Sequence, residues 1–179
     1  MRKLVAGLAV TLDGVVDSPS GNWMRFDGEM AEIIGAGIAE VDAILLGTRT
    51  YREFARIWPG QGSDVPMADF MNHTPKYVAS RTLTTLDWPG SHLLKGDLAE
   101  EITELKRRPG KNIQIPGSPR LVRSLLYAGL LDELSLMIHP IVLGNGARLF
   151  DGEATKLDLR LVSSRTLGTG VIWATYARA

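Results

Sequence analysis

Short apolar runs alternate with amphipathic stretches along this chain, and turn residues separate them. Lys3–Thr11 is an apolar run closed by the turn pair Asp13-Gly14. Glu29–Ala39 puts Met30, Ile33, Ile34 and Ile38 on one helical face. Ala43–Gly47 reads as a second strand and Thr50–Ile57 as a short helix, followed by a turn at Pro59–Ser63 and a helical turn at Met67–Asn72. Between the first strand and first helix, Val15–Gly28 carries proline, serine and Trp23-Met24 and reads as a long loop, a length that in compact domains is commonly functional. Lys76–Ser80 and His92–Leu94 are further strands. The helix Leu98–Arg108 is capped by Asp97 and stopped by Pro109-Gly110. Asn112–Ile115 leads through Pro116-Gly117-Ser118-Pro119 into helix Arg120–Ala128, and Glu133–Leu143 is apolar on both faces, as at the centre of a sheet. Leu157–Arg165 and Gly170–Arg178 read as an antiparallel pair. The pattern predicts a single α/β three-layer domain over residues 1–179. Its central sheet is mostly parallel, with helices on both faces and a C-terminal antiparallel hairpin.

Composition narrows the function classes. Twenty basic and twenty acidic residues cancel, so neither nucleic acid nor an anionic membrane is an expected partner. Apolar runs are broken well before the roughly 18 residues that a membrane span needs. With no cysteine, disulfides, thiolate nucleophiles and cysteine metal sites are excluded, and a cytoplasmic location is the simplest expectation. His73, His92 and His139 lie far apart with no ligand spacing, so no metal site is expected.

Three segments share one design. Gly47-Thr48-Arg49-Thr50, Ser80-Arg81-Thr82 and Gly117-Ser118 each follow a strand and precede a turn or helix. In an open α/β sheet, strand carboxyl ends share one edge, where ligands bind. Glycine lets the backbone approach a ligand, and the free amides of a starting helix suit an anion. With Arg49 and Arg81 as cations, this edge fits a phosphate-rich cofactor. Neither the Rossmann glycine fingerprint nor the lysine-bearing phosphate loop is present.

At these residues the chain resembles the dihydrofolate reductase superfamily, and within it the reductase domain of the bifunctional riboflavin-biosynthesis deaminase-reductase. The resemblance runs through Thr11-Leu12-Asp13-Gly14, Leu46 to Tyr51, Val78 to Thr82 and Gly117-Ser118. It continues through Leu121 to Leu126, Gly129 to Leu134, His139 to Gly146 and Leu149-Phe150. It implies hydride transfer from a nicotinamide dinucleotide, NADPH or NADH, to a pyrimidine- or pteridine-like small molecule, commonly by a homodimer. Because the first strand begins at Lys3, a stand-alone reductase is expected. Carried over by position, Gly47, Thr48, Arg49 and Thr50 would hold cofactor phosphates, and Ser80, Arg81 and Thr82 the adenosine end with any 2′-phosphate. Gly117 and Ser118 would lie against the pyrophosphate. Ala6 would flank the nicotinamide, and Asp13 and Gly14 would start the loop over it, with Trp23 in that loop. The chain departs from the pattern where Thr48 replaces an arginine, where Pro116 replaces a glycine and so deletes an amide donor, and at Pro119, which suits a first helical turn.

Reduction of a ring also needs a proton and an anchor for its amide-like edge. In dihydrofolate reductase a helix carboxylate does this, and the matching stretch offers Asp27 first, then Glu29. Asp27 closes the long loop towards the expected cleft, whereas Glu29, like Glu32 beyond it, also fits helix-start chemistry. The riboflavin-branch reductases do not require such an acid. Two readings follow. One is a nicotinamide-dependent reductase of the riboflavin type, with dihydrofolate reduction as the runner-up. The other is a protein that binds a nucleotide or folate-like ligand without turnover.

Overall fold

The computed structural model describes residues 1–17, 22–151 and 155–179. In chain order these form β1 (Leu4–Thr11), β2 (Val15–Asp17), α1 (Gly28–Ala39), β3 (Val41–Gly47), α2 (Thr48–Ile57) and α3 (Ala68–His73). Then come β4 (Lys76–Ala79), β5 (Ser91–Leu94), α4 (Leu98–Arg107), β6 (Asn112–Ile115) and α5 (Pro119–Tyr127). The chain ends with β7 (Glu133–His139), β8 (Ala147–Arg148), β9 (Leu159–Thr166) and β10 (Ile172–Arg178). Among the described residues eight strands make one sheet in the order β5-β4-β3-β6-β1-β7-β10-β9, while β2 and β8 pair in a separate ribbon. All neighbours from β5 to β7 are parallel, and β10 runs antiparallel to both β7 and β9. The predicted three-layer α/β architecture with its C-terminal hairpin is therefore observed.

The two faces of the sheet are covered differently. Side chains alternate along a strand, so Leu4, Ala6 and Leu8 of β1 lie on one face with Ile113, Ile115 and Leu134. There they pack against Ile102 and Leu105 of α4 and Val122 and Leu125 of α5. Each such fully buried side chain contributes about 1.5–3 kcal/mol. On the other face, Ile44, Leu46 and Val78 pack with Tyr51 of α2, Met71 of α3 and Trp88. Met30 of α1 packs with Leu167 and Val171 at the hairpin end. Between these two clusters the second face of β6 and β1 carries no helix against it.

Two boundaries differ from the reading of the sequence. The long strand stops at His139, because Pro140 has no amide to donate to a ladder. It lies between β1 and β10 and is not an edge. The outer strand on that side is β9, where Leu161 and Val162 are 50% and 45% exposed. The expected loop Val15–Gly28 contains β2, whose ladder is too short to leave a periodic signal, and its residues 18–21 lie outside those described.

One buried cation holds the α3 side together. Lys76 is fully buried, and its ammonium donates to the carbonyls of Met71 (3.0 Å), Asn72 (3.1 Å) and Thr74 (2.8 Å) while sitting 4.5 Å from the Trp88 ring centroid. Burial pulls its pKa down to about 8, so it remains charged at neutral pH, where the carbonyls and the ring face favour the cation. Lys76→Met keeps the volume and strands three acceptors. It should lower unfolding free energy by about 2–4 kcal/mol in chemical denaturation at pH 7, whereas a loss below about 0.5 kcal/mol would mean that the carbonyls find water instead.

Candidate functional site

The strand connections reverse direction between β3 and β6. From β3 the chain moves out through α2 to β4, and from β6 it moves the other way through α5 to β7, so a crevice opens between the two carboxyl ends. Gly47 ends β3 and caps α2, and its amide donates to the Ser118 hydroxyl at 2.8 Å. A Cβ on Gly47 would stand 3.2 Å from that hydroxyl. Gly117 has φ 135°, and a Cβ there would meet Thr50 at 3.4 Å. Ser118 itself adopts the left-handed conformation, φ 57°, as the cap of α5, a strained choice for a residue with a side chain. The N-termini of α2 and α5 thus share the crevice.

A cleft of about 1520 Å³ runs from this crevice across the uncovered face of the sheet. That exceeds the roughly 300–1,000 Å³ of an ordinary small-molecule pocket and has room for a dinucleotide beside a second molecule. Val5, Gly7 and Ala9 of β1, Gln114 of β6 and Ser135 of β7 contribute to its lining on the sheet side. Ile33, Ile34 and Ile38 of α1 line it too, half-buried, so most of the helix's apolar stripe faces the cleft and only Met30 is fully buried.

Of the residues singled out from the sequence, Gly47, Thr48, Arg49, Thr50, Ser80, Arg81, Gly117 and Ser118 line this one cleft, and Ala6 borders it with its side chain buried on the helix-covered face. Several are already engaged. The Thr48 hydroxyl donates to Ser80 Oγ at 2.8 Å, and Ser80 Oγ accepts the amides of Thr82 (3.2 Å) and Leu83 (3.0 Å). Arg49 pairs with Glu53 at 2.9 Å and Asp17 at 2.8 Å, which raises its pKa and spends its charge within the protein. Arg81 and Arg120 line the cleft with no ion pair to a described residue. Arg120 was missed in the sequence. Its signal was Pro119, which at the first position of α5 sets the next residue in the first turn over the crevice.

Asp13, Gly14, Thr82, Asp27 and Glu29 are not among the lining residues, and the structure uses most of them otherwise. Asp27 caps α1 by accepting the Met30 amide at 2.8 Å. Glu29 pairs with Arg165 at 2.5 Å and accepts the Gly168 amide at 2.9 Å, tying α1 to the β9–β10 hairpin. Asp13 accepts the Thr11 hydroxyl (2.6 Å) and the amides of Leu143 (3.2 Å) and Gly144 (2.9 Å), with its carbonyl taking Arg148 Nε at 2.9 Å. It therefore anchors the segment that carries β8. His139 is buried. Its Nδ1 accepts the Arg25 amide at 3.1 Å, the Trp23 ring meets it edge-on, and burial lowers its pKa.

This sheet order, with a ligand-sized cleft at the reversal point, defines a reductase-like α/β fold of the dihydrofolate reductase type. The chain matches dihydrofolate reductase from Enterococcus faecalis, complexed with NADP(H), at a TM-score of 0.66 and 14% identity over 98% of this chain and 96% of that one. It matches a putative riboflavin biosynthesis protein from Shewanella sp. PV-4 at a TM-score of 0.77 and 23% identity over 100% and 99%. The uncharacterized protein YyaP of Bacillus subtilis is 31% identical over 98% of this chain and 94% of its own. The RibD C-terminal domain model matches residues 2–173, and the chain belongs to that family. Membership supports a reductase-like role for the domain.

The Asp13 anchor carries a pH signature. Led by the Thr11 hydroxyl and then the Gly144 amide, its partners hold its pKa down at about 2 against an ordinary value of 3.8. A carboxylate with a depressed folded pKa stabilises fully above its unfolded pKa and loses that contribution as pH falls through the folded one. The stability deficit of Asp13→Ala against the parent should therefore be complete at pH 5 and shrink steadily between about pH 4 and 2. A deficit that is flat over that range in urea titrations would show that the partners do not favour the ionised form.

Proposed function

We propose that this chain is an NAD(P)H-dependent reductase that delivers hydride to a pyrimidine- or pteridine-like ring, most like the phosphoribosylamino-uracil reductase of riboflavin biosynthesis. The observation that carries the reading is the Gly47–Ser118 crevice opening directly onto an uncovered sheet face. One cleft thus offers a phosphate cradle and, beside it, a slot for a flat ring. The residues fit a dinucleotide. Gly47 and Gly117 keep Cβ atoms out of the crevice, the starting turns of α2 and α5 present amides, and Arg81 and Arg120 supply cations that pair with no carboxylate among the described residues. A bound nicotinamide supplies the hydride. The chain's own residues hold the dinucleotide at the sheet edge and seat the ring between Ile33 and Ile34 of α1 and the sheet, where the apolar wall excludes water.

Proton delivery favours the riboflavin-type reaction over dihydrofolate reduction. Asp27 and Glu29 are both committed to placing α1. Of the carboxylates that line the cleft, Asp17 and Glu53 pair with Arg49, Glu133 with Lys3 and Asp151 with Arg123, Asp97 caps α4, and Glu40 stands exposed at the far end of α1. The same observation supports the second reading, a ligand-binding protein without turnover. Consumption of NADPH with pyrimidine and pteridine carbonyl compounds separates the two. The cofactor half of the proposal is tested by titration: NADPH should bind, and Arg81→Ala should weaken it by about 1.5–3 kcal/mol while costing NADH much less. Arg49→Ala, whose charge is already spent, should change either affinity by less than about 0.5 kcal/mol. An equal loss for both dinucleotides in Arg81→Ala would remove that residue from the 2′-phosphate role.

We further propose a C2 homodimer through the outer strand β9, whose eight residues carry the exposed Leu161 and Val162. Light scattering at micromolar concentration should give twice the chain mass, and Leu161→Asp should return the monomer. A monomeric parent would refute it.

A further inference from the structure

Gln114 lies at the centre of the sheet. Its strand β6 is flanked by β3 and β1, and it pairs in register with Ile44 on one side and Val5 on the other. The strand reads Asn112-Ile113-Gln114-Ile115. Ile113 and Ile115 are fully buried on the helix-covered face, so alternation turns Gln114 to the uncovered face, where it lines the cleft half-buried. A central strand of a doubly covered sheet is normally apolar on both faces, which makes a glutamine here an exception in need of a partner. Among the described residues its carboxamide makes no hydrogen bond to the protein.

Space has been kept for that carboxamide. The next strand carries Gly7, and a Cβ there would stand 3.1 Å from Gln114 Nε2, tighter than an ordinary contact. Gly7 sits in mid-strand, where glycine weakens a strand and commonly marks a close approach. Ser135, the in-register neighbour of Gly7 on β7, is small, and its hydroxyl is paired with that of Thr175 at 2.9 Å. Around Gln114 the sheet side of the slot is therefore flat and low.

We infer that Gln114 is a specificity-determining residue that reads the edge of the substrate ring through a paired hydrogen bond. This rests on the proposal above that the slot seats a ring. A carboxamide offers one acceptor and two donor hydrogens side by side. It is complementary to a lactam edge, in which a ring N–H adjoins a C=O, as in uracil-like and oxo-pteridine rings. The N–H donates to the glutamine oxygen, and the ring carbonyl accepts from its NH₂. A slot built to make such a pair discriminates strongly against rings that lack it, because the carboxamide is then left unpaired in a water-poor cleft.

The test titrates the full-length protein with lumazine, which carries lactam edges, with diaminopteridine, which carries an amidine edge, and separately with NADPH. Gln114→Leu should weaken lumazine about tenfold or more while leaving NADPH binding unchanged. Gln114→Glu, which can only accept once ionised, should weaken lumazine and strengthen diaminopteridine, reversing the preference. Gly7→Ala should also weaken lumazine by displacing the carboxamide, and its effect should largely vanish in a Gln114→Leu background, as coupled neighbours require. The inference is overturned if Gln114→Leu leaves lumazine affinity intact. It is equally overturned if both pteridines lose affinity by the same factor in Gln114→Glu, or if the parent binds NADPH but no lumazine. Lumazine binding that depends on Gln114 in a protein that ignores NADPH would instead uphold the inference and sink the reductase reading.

Discussion

The hydrogen bond from the Gly47 amide to Ser118 Oγ ties the end of β3 to the start of α5 across the point where the strand connections reverse. It forms at 2.8 Å because Gly47 brings no side chain between them and because Ser118 accepts a left-handed backbone, φ 57°, that aims its hydroxyl at β3. Each helix that starts here depends on that closure for its position: α2 has no side-chain cap of its own, and α5 begins with Pro119. The strain stored at Ser118 is of the kind that persists where surrounding structure over-determines the backbone. What it secures is a pair of helix starts facing one crevice, with the alternative, a more relaxed Ser118, leaving the Gly47 amide without its acceptor.

From that crevice the cleft extends because the second face of the sheet is covered only at its flanks. The α2–α3 cluster covers β3 and β4, and α1 covers the β7–β10 side through Met30. Helix α1 stands away from β1, so Ile33, Ile34 and Ile38 are only half-buried. An isoleucine stripe left partly in solvent costs stability relative to full burial, and here it forms an apolar wall opposite a low stretch of sheet at Gly7, Ala9 and Ser135. Small residues on the sheet and large ones on the helix together give the slot its depth.

The order of elements, the parallel sheet and the three hydroxyl-bearing strand ends were legible in the sequence, since each rests on local periodicity or turn chemistry. What was hidden depends on partners distant in sequence. Arg49 looked like a phosphate cation until Asp17 and Glu53 were found on either side of it. Asp13 reads as the start of a loop, and no local pattern shows that its carboxylate also grips Leu143 and Gly144, some 130 positions away in sequence. Strand β7 was drawn four residues too long because the apolar run continues past Pro140, although the ladder does not. Gln114 did leave a signal: a polar residue alternating with isoleucines in a predicted strand implies that one face is open there.

The two acids on α1 show why residue type and spacing underdetermine chemistry. A carboxylate at a helix start can cap the helix or serve a substrate, and the sequence is the same in either case. Here Asp27 satisfies an orphan amide of the first turn, and Glu29 reaches Arg165 and Gly168 on the hairpin that forms the far side of the fold. Together they pin the near end of α1 at both its backbone and its flank. Because α1 supplies the apolar wall of the slot, the width of that slot is set by these carboxylates without either of them entering it. Their influence on the slot therefore runs through the position of Ile33 and Ile34, while Gln114 and Ser135 are polar groups of the sheet that line it.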